Sequence, residues 1–393
     1  MIVKRIFIAF VILWAGTYSF AQEITGYVGI EGRGFFNKPL HDNQKDHTLS
    51  SSISLEYFHD FEEDNESIVA TFFARKDSAG DGRDHFDINE LYWWKGFDDF
   101  ELYIGMRKIF WGVTETSHLV DVINSSDSVE NIDGEDKLGQ PMISLLYEQD
   151  WGTVEVFALT GFREPTYLGY KDRLRSQLVV DKDFTTYESS REERHIDFAG
   201  RYSHVIGDVD LGLIYFNGTN REASFNKKTV GGQDILAPHY NQVEIFGTDI
   251  QLTNGDFLWK IEATHTKPKS DSSYFSQVGG FEYTFVGIAD SNGDLGIFME
   301  YQFDERSDAF GQNDLAVGTR FVLNDVQSTE FLAAITQDLD NKTKFISIEA
   351  SRRLTDTWII ESELRVFSTV SSQDALYELR DDDYLQVLFK RYF

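Results

Sequence analysis

From Gln22 to Phe393, apolar side chains alternate with polar or small ones in segment after segment, and the period is two rather than 3.6. A chain built this way forms strands with one apolar face and one wet face. In 294–304, Leu295, Ile297, Met299, Tyr301 and Phe303 point one way, while Gly296, Glu300, Gln302 and Asp304 point the other. In 313–324, Leu315, Val317, Phe321 and Leu323 oppose Gly318, Arg320 and Asn324. In 357–367, Trp358, Ile360, Leu364 and Val366 oppose Glu361, Glu363 and Arg365.

Strands are expected at 24–36, 49–59, 66–76, 84–95, 99–110, 139–150, 152–162, 193–206, 208–218, 240–254, 256–267, 273–287, 293–304, 313–325, 328–340, 342–354, 356–368 and 380–393. That makes about 18 strands, or 16 if 66–76 or 240–254 is not a strand. Most exceed the roughly five or six residues of an ordinary globular strand. They reach the roughly 9 to 11 residues with which a tilted strand crosses a bilayer. The connections alternate in length: short polar turns such as Gly207-Asp208, Asn254-Gly255-Asp256 and Thr355-Asp356 lie at one end. The other end carries longer loops, up to 111–138 and 163–192. The expected fold is therefore all-β, a transmembrane antiparallel up-and-down β-barrel with short periplasmic turns and long extracellular loops.

Composition narrows the partners. Acidic residues number 66 against 36 basic ones, for a formal charge of −30, which argues against nucleic acid. The 33 Phe, 18 Tyr and 7 Trp are too many aromatics for a disordered acidic chain. The absence of Cys removes disulfides, thiolate metal sites and a cysteine nucleophile. At the start, Lys4 and Arg5 precede the apolar run 6–16, and Ser19-Phe20-Ala21 offers small residues before a cut ahead of Gln22. Residues 1–21 are thus expected to be a signal peptide and 22–393 the barrel, with a mature charge of −32 once Lys4 and Arg5 are gone. Trp93, Trp94, Trp151, Trp259 and Trp358 lie near short turns and Trp111 at the opposite end of its strand, which reads as an interfacial girdle.

The last strand, Tyr384 to Phe393, places Leu385, Val387, Phe389 and the terminal Phe393 in alternate register. It resembles the final strand of Gram-negative outer-membrane β-barrels, with Arg391 where such strands usually carry an aromatic. That resemblance implies recognition of Phe393 by the barrel-assembly machinery, and an outer membrane with its lipid and lipopolysaccharide as surroundings. The run Gly105-Met106-Arg107-Lys108, Trp111-Gly112, Glu115, Leu119-Val120-Asp121 and Ile123-Asn124 is similar to a stretch of porin-like, alginate-export-type barrels. From this only the class is inferred, not a substrate.

A barrel of 16 to 18 strands leaves an aqueous channel. Inward-facing candidates are Glu101, Arg107, Asp197, Arg201, Lys260, Glu262, Glu300, Arg320, Glu349, Glu361, Glu363 and Arg365, all on polar faces. For any one of them a structural ion pair is the competing reading. The acidic loop after the fifth strand, with Glu115, Asp121, Asp127, Glu130, Asp133, Glu135 and Asp136, is the candidate constriction, and Ser117 to Asn124 is expected to form a short capped helix within it. A solvated surface loop is the alternative. The loop 181–193 offers carboxylates for divalent cations beside lipopolysaccharide.

The nine His show no spacing that singles out a catalytic site, and Asp290 to Asp294 lacks the distal Glu of a calcium loop. No enzyme activity, cofactor or metal is expected. The favoured function is passive diffusion of small hydrophilic solutes with a preference for cations. Two alternatives stand beside it: an export pore for a secreted polysaccharide, and a sealed barrel acting as receptor or adhesin. Homo-oligomerisation stays open, because no patch on the lipid face stands out.

Overall fold

The computed structural model of the chain describes residues 22–61, 65–80, 82–307 and 309–393. The signal peptide expected at 1–21 lies outside the described residues. In chain order the strands are β1 (Gln22–Phe35), β2 (His47–Asp60), β3 (Glu66–Asp77), β4 (His85–Gly96), β5 (Glu101–Arg107), β6 (Gln140–Gln149) and β7 (Gly152–Leu159). They continue with β8 (Thr186–Tyr187), β9 (Asp197–Ile206), β10 (Val209–Thr219), β11 (Ser224–Val230), β12 (Gln233–Tyr240), β13 (Gln242–Asn254) and β14 (Phe257–Pro268). The last are β15 (Tyr274–Phe285), β16 (Asp294–Asp304), β17 (Asn313–Val322), β18 (Glu330–Asp338), β19 (Lys344–Arg353), β20 (Trp358–Ser368) and β21 (Tyr384–Tyr392).

Eighteen of these form one sheet in which each strand pairs antiparallel with the next, β7 with β9 and β10 with β13. The ring closes where β21 pairs with β1, from Tyr27 opposite Tyr392 to Phe35 opposite Tyr384. Phe393 completes the seam: its N–H donates to Gly26 O at 3.0 Å and its carbonyl accepts from Gly26 N at 3.2 Å. Closure leaves no unpaired edge in the wall, the condition for a sheet to sit in lipid.

Directly opposed residues share a face, so each ladder rung is either outward or inward. Met299, Val317 and Ile335 form an outward rung and remain about two-fifths exposed although large and apolar. Ile104 and Ile143 form another. Inward rungs are polar, as where Ser347, Arg365 and Tyr384 stand side by side.

The remaining three strands, β8, β11 and β12, make a small separate sheet in the long-loop region. It was not anticipated, because β11 exposes nearly its whole length and so carries no alternation. The expected strand 99–110 ends at Arg107, since the amide of Ile109 donates to Asn124 Oδ1 at 2.9 Å instead of to a ladder neighbour. Two of the tryptophans assigned to the interface turn inward. Trp94 stands opposite Tyr103 and donates to Glu101 at 3.0 Å, and Trp111 is buried inside the barrel.

Candidate functional site: the inward segment 108–139

After β5 the chain leaves the wall and crosses the interior before rejoining it at β6. Its first lobe, 109–123, lays Ile109, Trp111, Val120 and Ile123 against Met142 of β6, Phe157 and Leu159 of β7, Ala199 of β9, Ile214 and Phe216 of β10, and Val243 and Ile245 of β13. These inward side chains make an apolar patch on this half of the wall, and the lobe covers it. Burial of four such side chains is the main force holding it, at about 1.5 to 3 kcal/mol for each one fully buried. Trp111 meets Phe157 edge to face at 5.6 Å between ring centroids, with the Arg201 guanidinium over its other side.

Two wall carboxylates anchor the tip of that lobe. Glu262 on β14 accepts from Val113 N at 2.7 Å, Thr114 N at 3.0 Å, Thr114 Oγ1 at 2.7 Å and Val120 N at 3.3 Å. Glu300 on β16 accepts from Glu115 N at 2.8 Å, Thr116 N at 2.9 Å and Thr116 Oγ1 at 2.6 Å. Both carboxylates are buried, so each is a docking point filled by backbone donors and not a charge presented to lumen water. This also overturns the expected helix over Ser117 to Asn124: the segment is turns and bends, with Val120 N drawn to Glu262 and Asp121 N and Val122 N reaching back only three and two residues, to His118 O and Val120 O. Gly112 fits its place through a φ of +147°, and a Cβ there would lie 2.8 Å from His118 Nδ1 and 3.1 Å from Glu262 Oε1.

Asn124 ties the segment's start to its end, donating to Arg107 O at 2.9 Å and Leu138 O at 2.7 Å. Beyond it the second lobe, 125–138, is a small hairpin closed by the Ser126 and Lys137 bridge and a 2.7 Å bond from Asp127 N to Asp136 O. It docks on the opposite side of the barrel. Glu130 binds Arg75 of β3 at 2.6 Å, and Arg75 in turn binds Glu31 of β1 at 2.9 Å. Glu31 also binds Arg83 at 2.7 Å, whose Nε donates to Val129 O at 2.9 Å. Asp127 accepts from Thr166 Oγ1 at 2.6 Å and lies 3.6 Å from His85 Nε2. Asn131 donates to Glu363 of β20 at 3.2 Å.

The seven acidic residues singled out from sequence therefore differ in circumstance. Glu115 pairs with Arg320 of β17, Asp121 with Lys137 at 3.2 Å, Asp133 with Arg365 of β20 at 3.3 Å, and Glu135 with His118 at 2.9 Å. Asp127 and Glu130 are anchors, and Asp136 is exposed. Although its surface is open to lumen water, Asp136 is enclosed by the barrel interior, and that loss of bulk solvent, with the carboxylates of Glu130, Asp133 and Asp127, pushes its carboxyl up to about 7. Burial raises Asp133 to about 6, against the pull of Arg365.

The inward arginines are paired as well. Arg107 reaches Glu155 at 3.2 Å and lies over the Tyr103 ring at 3.7 Å. Arg201 forks onto Asp249 at 2.7 and 2.9 Å. Arg365 binds Glu349 at 2.8 Å and Glu363 at 3.2 Å, and Glu361 binds Lys390 at 2.8 Å. Among the described residues no group of three or more His, Asp or Glu is arranged to hold a metal ion.

Sequence reasoning gave no site role to several residues that build this site: His118, Asn124, Glu31, Arg75, Arg83 and the apolar stripe of the first lobe. The stripe was the readable signal, since Trp111, Val120 and Ile123 have no reason to stand in a solvated acidic loop.

No protein-family model matches the sequence, and no curated protein matches it. Among solved structures it is similar to outer-membrane expressed OmpT of Vibrio cholerae, at 9% identity and a TM-score of 0.47, covering 96% of this chain and 99% of that one. It is also similar to a variant of the Rh. blastica porin, at 10% identity and a TM-score of 0.45, covering 95% of this chain and 100% of that one. The fold class follows from the molecule's own geometry: eighteen antiparallel strands closed on themselves, apolar outside and polar within, give this chain the fold of an outer-membrane-type β-barrel.

Proposed function

We propose that the barrel is a channel for passive diffusion of small hydrophilic solutes, with a preference for cations, exported by the signal peptide at 1–21 and delivered to the membrane through its C-terminal Phe393. One observation carries the reading. The inward segment is held at its two ends by buried groups, while between its lobes and the β17 to β20 wall the charged side chains stay solvated: Arg320 is 37% exposed, Glu349 45% and Glu135 51%. With Asp133 and Asp136 beside them the eyelet is net acidic, which raises the local concentration of cations. The arginines that would have served an acidic polymer are each paired with a carboxylate, so the polysaccharide-export reading gains no support from them.

The segment 163–181 favours a second reading, a barrel sealed from outside. It lies across the long-loop mouth, with Gln44 donating to Asp172 O at 2.7 Å and Gly82 N to Asp172 Oδ2 at 2.7 Å. Single-channel recording of the refolded barrel in a planar bilayer, with reversal potential across a KCl gradient, separates the two. Stable open currents with cation preference support the channel, and a folded barrel that passes no current supports the sealed reading.

A further inference from the structure

Below the second lobe, at the short-turn end of the barrel, the wall of β1 to β4 borders a cavity of about 430 Å³. Two inward rungs form its floor and side. Thr25, Glu56, Thr71 and Glu90 stand opposite one another across the four strands. Glu23, Phe58 and Val69 make the rung beneath. The wall is modified at this height: the pairing of β3 with β4 shifts register between Thr71 and Phe72, leaving Asn89 as the extra residue of a bulge that also lines the cavity. Lys108, the first residue of the inward segment, borders the cavity beside Glu90, and its backbone N–H donates to Glu90 Oε1 at 3.2 Å.

The chemistry is mixed in a specific proportion. Three carboxylates, one ammonium and an exposed Phe58 ring, 40% accessible although it faces the lumen, surround a space in the range of small-molecule sites, roughly 300 to 1,000 Å³. Carboxylates at Glu23 and Glu56 suit ammonium groups, Lys108 suits a carboxylate, and Phe58 with Val69 suits an alkyl stem between them. We propose that this vestibule is a binding subsite for small amphoteric solutes of net positive charge, of the size and charge pattern of a basic amino acid. The proposal deepens the channel reading and rests on it for its consequence, namely that such solutes dwell in the pore as they cross.

Calorimetric titration of the folded, detergent-solubilised barrel with L-lysine tests the site without requiring conduction. Two control probes are pentane-1,5-diamine, which is lysine without its carboxylate, and glutarate. L-lysine is expected to bind saturably in the millimolar range, with Glu56→Gln weakening it about tenfold, and glutarate is expected not to bind. Lys108→Met is expected to weaken L-lysine about tenfold while leaving the diamine within about twofold, a split that a merely unfolded variant would not give. Absence of saturable lysine binding overturns the site, as does equal binding by wild type and Glu56→Gln, or glutarate binding as tightly as lysine. Bilayer recordings on the same preparations keep the two readings apart. Current without lysine binding overturns this proposal alone, and lysine binding without current overturns the channel alone.

Discussion

His118 Nε2 lies 2.9 Å from a carboxylate oxygen of Glu135, and this contact joins the first lobe of the inward segment to the second. Its other ring nitrogen lies 3.9 Å from Glu262, the wall carboxylate that anchors the first lobe. One imidazole therefore latches both lobes and the wall.

Although burial works against the charged ring, Glu135 and Glu262 hold the His118 pKa up, at about 10. A histidine raised above its ordinary value of about 6.5 gives its full stabilisation below that value and loses it as pH climbs through the folded pKa. Open-channel noise is thus expected to be lowest below about pH 6.5, to grow steadily as pH climbs from there, and to level off above about pH 10. Because Glu135 is half exposed, the latch contributes no more than about 1 kcal/mol, a factor of about five in the latched population. His118→Gln should be noisy at every pH; a quiet variant would show that the lobes are held without the latch.

Cation preference should itself depend on pH, through Asp133 and Asp136. With pKa values pushed to about 6 and about 7, both are largely neutral at pH 5 and ionised at pH 8. Reversal potentials across a KCl gradient are expected to shift toward stronger cation selectivity over that interval. The double variant Asp133→Asn, Asp136→Asn should flatten the dependence and hold the acid-side value throughout. A pH profile unchanged in the variant would move the selecting charges elsewhere in the lumen.

Trp111→Ala removes the largest side chain from the face that docks the first lobe, a class of change that costs about 3 to 5 kcal/mol. The cost falls on the lobe and not on the wall, whose strands are held by their own ladders. The variant should therefore still migrate as a folded barrel on unheated gels. Hydrogen exchange at the Val113 and Thr114 amides, which donate to Glu262, should accelerate by more than about a hundredfold. Unchanged exchange there would mean that the two carboxylate anchors alone hold the lobe.

The wall was legible because lipid on one side and polar groups on the other impose a period of two on every strand, as in the run from Leu295 to Phe303. Where that constraint stops, legibility stops with it. β11 carries Lys227 and Lys228 on an exposed strand with no apolar face, so only its Gly231-Gly232 turn marks a hairpin. The acidity of 115–136 pointed to a solvated or pore-lining loop, whereas its seating depends on four apolar residues and on Glu262 and Glu300, some 140 or more positions away in the chain. Such pairing of a carboxylate with distant backbone amides leaves no local pattern, and Glu262 and Glu300 read simply as inward charges.

The buried ion pair between Arg173 and Asp382, at 2.5 Å with side chains 2% and 4% exposed, fastens the 163–181 segment to the loop between β20 and β21. Asp382 also accepts from Leu174 N at 2.8 Å, and Arg173 donates to Asp381 O at 2.5 Å. Leu174 sits in the left-handed region, with φ 62°, and packs into the apolar cluster of Phe367 and Tyr384. Asp382→Ala leaves the guanidinium buried without its counter-charge and removes the acceptor of Leu174 N, a class of change that costs about 3 to 5 kcal/mol. The segment should detach, so trypsin is expected to cut after Arg173 or Arg175 in the variant and to spare the wild type. Conductance decides what the clamp means. A rise in an already open channel makes it a partial cover, current only in the variant makes it a seal, and equal currents confine it to stabilising the rim.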